Sequence, residues 1–173
     1  MAFSTQQGSG ASDRTSFVGT TGVDSIVFEG NTSNFFVGAN AANDAIAFDN
    51  VAALTTGTMT SGEVKGGLGV DSFLDLSVAG VNLVSTWVNG NGGNDSLGTN
   101  AAVGSLRGVN ATIQGGAGDD NVFVGNSTNS IFNGNKNDDA VTVNGTVTRS
   151  TIGGGQGDDT IVTGALAGTV VTT

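Results

Sequence analysis

The chain has 173 residues, with 30 Gly, no Pro, no Cys, no His and no Tyr, and a net charge of -10 from 15 acidic and 5 basic residues. Without His or Cys the usual zinc centres and the Ser-His and Cys-His nucleophile pairs are excluded, as is a disulfide framework. The acidic excess excludes nucleic acid, whose phosphates require Lys and Arg.

The N-terminus, MAFSTQQGSG, lacks the basic region and apolar stretch of a cleaved signal peptide, and no apolar run reaches the length of a membrane span. Residues 1–16 precede the repeats and read as an N-terminal arm. They contain Gly8-Ser9-Gly10-Ala11-Ser12-Asp13, a loose copy of the turn described next. A free arm and an arm docking on the next molecule are both open readings.

From residue 17 to 173 the chain repeats. A Gly/Asn-rich turn ending in Asp recurs at 19–24, 39–44, 66–71, 90–95, 115–120, 134–139 and 154–159. Its final residues are Asp24, Asp44, Asp71, Asp95, Asp120, Asp139 and Asp159, spaced 20, 27, 24, 25, 19 and 20 residues apart. Two residues after each Asp stand Ile26, Ile46, Phe73, Leu97, Val122, Val141 and Ile161. Two residues before each turn stand Phe17, Val37, Val64, Val88, Ile113, Phe132 and Ile152, with Phe36 an alternative to Val37. Alternations such as Val122/Val124 and Val141/Val143 have the period of two expected of strands.

One unit cannot bury its own apolar residues, but stacked units can. The predicted fold is therefore all-β: a right-handed parallel β-solenoid of about seven to eight coils over residues 17–173. Each coil is expected to hold two strands on two faces and one calcium-binding turn. The extra residues of the long copies, near Val51–Gly62, Val78–Thr86 and Gly98–Ala111, fall away from the Asp turn. They are expected to widen or cover the core; a ligand or partner surface is the alternative.

Calcium takes six to eight hard oxygen ligands. Gly and Asn tolerate positive φ, so these turns can curl their carbonyls inward beside the carboxylate. The candidate ligands are the seven aspartates and, by backbone carbonyl, Gly19, Gly66, Gly90, Gly115, Gly134 and Gly154. Stacking at roughly 4.7–4.9 Å joins half shells of adjacent coils, giving up to six intrachain Ca²⁺ sites. The turn at 39–44 is the poorest in Gly and the doubtful one. Asp119, Asp138 and Asp158, each preceding a ligand Asp, are expected to face solvent.

Gly66-Gly67-Leu68-Gly69-Val70-Asp71-Ser72-Phe73-Leu74 and Gly115-Gly116-Ala117-Gly118-Asp119-Asp120-Asn121-Val122-Phe123 resemble the RTX (repeats-in-toxin) nonapeptide, a calcium-binding β-roll repeat. With the motif on one edge only, the chain resembles the single-edged variant of bacterial surface-layer and adhesin proteins. This resemblance implies type I secretion and an extracellular, non-enzymatic structural role in a filament, surface layer or adhesin. The alternative is a calcium-triggered folding or secretion module of a larger secreted enzyme or toxin. Partners are expected to be the chain itself, polymerising head-to-tail, or a cell-surface polysaccharide.

Overall fold

The computed structural model describes residues 2–6, 15–29, 31–49, 57–75, 81–100 and 105–173. After Asp120 a representative coil runs through strands Asn121–Val124, Ser127–Thr128 and Ile131–Lys136, then turns at Asp139 and begins again. Among the described residues every strand pairs in parallel with its counterpart one coil away, giving three sheets of eight, seven and eight strands. No helix occurs among the described residues. The chain is thus an all-β parallel solenoid of about seven coils.

The expected two faces become three. One sheet follows the Asp turn, a second forms the far corner, and a third leads back into the next turn. Both apolar columns read from the sequence lie in register. Ile26, Ile46, Phe73, Leu97, Val122, Val141 and Ile161 stack through the post-turn sheet. Phe17, Val37, Val64, Val88, Ile113, Phe132, Ile152 and Val171 stack through the pre-turn sheet. Val37, and not Phe36, holds the inward place: Val37 is buried, whereas Phe36 is half-buried and pairs with Glu63. Each fully buried aliphatic side chain contributes about 1.5–3 kcal/mol, so these columns hold the stack together.

The third inward column, Thr32, Met59, Leu83, Gly108, Ser127, Val147 and Leu166, lines the corner sheet. Its mixed chemistry hides it from a search for apolar periodicity. The chain leaves this sheet through one residue held at positive φ in every coil. These are Asn34, Ser61, Ser85, Asn110, Asn129 and Arg149, at +48° to +54°, and Gly168 at +57°. Left-handed backbone turns the chain sharply inside a single residue, so the corner needs no glycine-rich motif. The next residue closes it. Ser130 and Ser150 each donate their hydroxyl to the carbonyl two residues back, at 3.0 Å. They accept the N–H of Ala111 and Ser130, at 3.1 and 3.0 Å.

The long copies feed the corner sheet: Gly57–Thr60 and Val81–Val84 are longer than Thr32–Ser33. Met59 and Leu83 are buried there, and Leu106 is buried beside Val124 of the post-turn sheet, so the described ends of these segments do join the core. Leu54 and the rest of 50–56, 76–80 and 101–104 lie outside the described residues. Of the N-terminal arm, Ala2–Gln6 pairs with Ser25–Glu29 of its own chain, setting Phe3 in register with Ile26. The loose turn copy at Gly8–Asp13 lies outside the described residues.

Candidate functional site

The seven turns stack along one edge of the solenoid. In the frame Gly66-Gly67-Leu68-Gly69-Val70-Asp71, the second and fourth residues adopt positive φ, +117° and +135°. The same two places carry Gly116/Gly118, Gly155/Gly157, Asn91/Gly93, Asn135/Asn137 and Asn40/Ala42, all at positive φ. Asn tolerates this region where Gly is absent, so the degenerate turn at 134–139 keeps the conformation. Ala42, at +86°, is the one residue held there against its own preference. Close stacking adds a second constraint: a Cβ on Gly69 would lie 2.2 Å from the Ala42 carbonyl oxygen.

These turns bring the aspartates into one buried file. Asp24, Asp44, Asp71, Asp95, Asp120 and Asp139 are each at most 3% exposed. Every Oδ1 from Asp44 onward accepts the main-chain N–H of the preceding aspartate, at 2.6–3.0 Å. The other oxygen, Oδ2 of Asp44, Asp71, Asp95, Asp120, Asp139 and Asp159, is buried without any hydrogen-bond partner. Such orphans are rare because each costs about 1–3 kcal/mol, more when charged.

The orphan oxygens share a cradle with backbone oxygen. The space a Cβ at Gly66 would fill lies 2.3 Å from Asp71 Oδ2 and 2.6 Å from the Gly90 carbonyl oxygen of the next coil. Gly90 relates in this way to Asp95 and the Gly115 carbonyl, and Gly115 to Asp120 and the Gly134 carbonyl. Asp139 and Asp159 Oδ2 likewise face Gly134 and Gly154. In the five turns from 66–71 to 154–159 the first residue must therefore be Gly for steric reasons, although its φ is ordinary; at 39–44 the buried Ala39 stands in that place. Two oxygens of negative character turned on one small space suit a hard cation. Among the described residues no three His, Cys, Asp or Glu side chains cluster as ligands, so a cation here would have to take one carboxylate per coil and otherwise carbonyls.

Electrostatics agree with that geometry. Burial first, and the neighbouring carboxylate after it, push Asp71 and Asp139 up to about 6 and Asp95 and Asp120 up to about 7. Burial also raises Asp44. Asp24 moves down instead, chiefly through the N–H of Thr20, which donates to its Oδ2 at 2.5 Å. Thr20 and Gly22 are not at positive φ, so the turn at 19–24 has its own shape and a satisfied carboxylate. The turn at 39–44, the doubtful one by glycine content, has the shape of the later five. Asn40 and Ala42 take up the φ that Gly supplies in other turns, while Ala39 places a methyl group where the later turns have Gly.

Asp119, Asp138 and Asp158 are exposed, as expected. They also belong to a second file that sequence reasoning missed. Asn43, Asn94, Asp119 and Asp138 accept through Oδ1 the N–H of Val70, Asp119, Asp138 and Asp158, at 2.9, 3.0, 3.3 and 2.9 Å. The signal was the Asn or Asp at the fifth place of five turns.

Comparison with protein-family models, curated protein sequences and solved structures returned no match.

Proposed function

We propose that the chain is an extracellular structural β-solenoid of a bacterial surface assembly, folded and cross-linked by Ca²⁺ along its aspartate edge. The observation that carries this reading is the file of six orphan carboxylate oxygens. Six carboxylates one strand spacing apart, with burial against them, oppose folding unless a cation neutralises them. Asp44, Asp71, Asp95, Asp120, Asp139 and Asp159 would hold the ions with the carbonyls of Gly66, Gly90, Gly115, Gly134 and Gly154. Six such turns have five junctions between them, one fewer than the six expected from all seven aspartates. Ca²⁺ suits the donor set because it accepts carbonyl and carboxylate oxygens in flexible geometry.

A fold that closes only when metal enters is suited to a chain exported unfolded into a calcium-rich medium. Assembly with further copies or on a cell-surface polysaccharide belongs to the same proposal. No described helix is long and apolar enough to cross a membrane. The test is equilibrium dialysis against Ca²⁺ together with light scattering. Saturable uptake of about five ions per chain, with assembly reversed by chelator, is the expected result. Uptake of one ion or none would overturn the proposal.

A further inference from the structure

We propose that the turn edge of the first three coils, presenting Val18, Val23, Leu68 and Val70, is a contact surface for a second copy of the chain. These four side chains are 60%, 67%, 67% and 51% exposed. The fold does not require them. Leu68 takes the third place of its turn, where Lys136 and Gln156 stand in later coils; Val70 takes the fifth, where Asp119, Asp138 and Asp158 stand. At that fifth place an Asn or Asp would add an acceptor to the outer hydrogen-bonded file, as Asn43 and Asn94 do. Valine at 23 and 70 gives up that bond to keep an apolar surface in water, and the two losses fall in the same three coils.

The charge distribution selects the occupant. The turns at 19–24, 39–44 and 66–71 contain no Lys, Arg or aromatic residue. The one basic side chain in the row of Val18, Lys65, is paired with Glu63 at 2.7 Å, so the surface lacks the free basic groups that a membrane carrying anionic lipid would call for. Their outward positions are uncharged, whereas the edge of the last three coils carries Asp119, Asp138 and Asp158. Two copies related by a two-fold axis through the second coil bring the apolar parts together, coil one against coil three. The same operation sends the two acidic parts to opposite ends, where they do not meet. A parallel pairing would instead align like charges.

Four aliphatic side chains make a small contact beside the roughly 1,200–2,000 Å² of a stable interface, so pairing depends on concentration. The inference requires only a folded solenoid and is independent of which surface the chain joins. The test is sedimentation equilibrium in Ca²⁺ of the full chain and of the double variant Leu68→Gln, Val70→Asn. Circular dichroism is recorded on the same samples to report folding separately. Both new residues already occur at equivalent places, so the β-signal is expected to be unchanged. The wild type is expected to dimerise and the variant to associate at least tenfold more weakly, with wild-type pairing undiminished by added salt. A wild type that stays monomeric while folded, a folded variant that pairs equally well, or pairing weakened by salt would each overturn the inference.

Discussion

Replacing Asp95 by Asn should act in opposite directions with and without metal. Asp95 Oδ1 accepts the Asp71 N–H at 2.8 Å, a bond the amide oxygen of Asn reproduces. Its Oδ2 is buried and orphaned, and shares its space with the Gly115 carbonyl oxygen. An amide nitrogen there donates to that carbonyl, where a carboxylate repels it. In chelator, Asp95→Asn therefore removes an unsatisfied buried group, stabilising the solenoid by about 1–3 kcal/mol. In Ca²⁺ it removes the only carboxylate ligand that its coil supplies. Loss of one partner from a buried charge pair costs about 3–5 kcal/mol. The assays are a trimethylamine-N-oxide titration of β-structure in chelator and a urea titration in Ca²⁺. With a slope of about 2 kcal/mol per M, the urea midpoint should fall by roughly 1.5–2.5 M, while less osmolyte should induce folding in chelator. A shift of the same sign in both buffers would refute the reasoning.

Four further outcomes follow from the same geometry. Asp120→Ala should raise the calcium midpoint severalfold, whereas Asp24→Ala, whose Oδ2 is already held by Thr20, should leave it nearly unchanged; paired titrations followed by circular dichroism compare them. Ala42→Gly relieves a left-handed non-glycine residue at φ +86° and should stabilise by about 1 kcal/mol, read as a rise in thermal midpoint. Gly69→Ala should prevent the third turn from closing, since its Cβ meets the Ala42 carbonyl at 2.2 Å, and a variant with wild-type stability would contradict that stacking. Acid should partly replace calcium: with Asp71 and Asp139 raised to about 6 and Asp95 and Asp120 to about 7, the folded chain keeps protons that the unfolded chain loses above about 4. Stability without metal should then be greatest near pH 4 and decline as pH rises through 7, the reverse of the trend in Ca²⁺.

The parts of the fold legible in the sequence are those where one position asks for one chemistry in every coil. The Asp, the apolar residue two places after it and the apolar residue two places before the turn each recur at an equivalent place in all seven coils. All three files reappear in the structure with the register that spacing implies, and Val171 extends the pre-turn column opposite Ile152. The corner sheet was illegible because its inward file admits Thr32, Gly108 and Ser127 beside Met59 and Leu83. Close packing there is met by small side chains and hydroxyl bonds as well as by aliphatic bulk. The left-handed corner was hidden for a related reason: Asn, Ser, Arg and Gly all take positive φ there, as at Asn34, Ser61, Arg149 and Gly168, held by the coils on either side. At the aspartate edge, glycine content alone does not show the conformation of 39–44, where Asn40 and Ala42 take positive φ. Nor does it show that at 19–24, where Gly19 and Gly22 are present, the Thr20 N–H bonds the Asp24 carboxylate.

The central claim is that burying the aspartate file requires a divalent cation, and far-ultraviolet circular dichroism during a Ca²⁺ titration tests it most directly. Starting from chelator at neutral pH, a largely disordered spectrum should convert cooperatively to β-structure by about 5–10 mM Ca²⁺, the upper range for extracellular calcium modules. The same β-spectrum in chelator and in Ca²⁺, with an unchanged urea midpoint, would show that the stacked carboxylates are stable by themselves and would contradict the account.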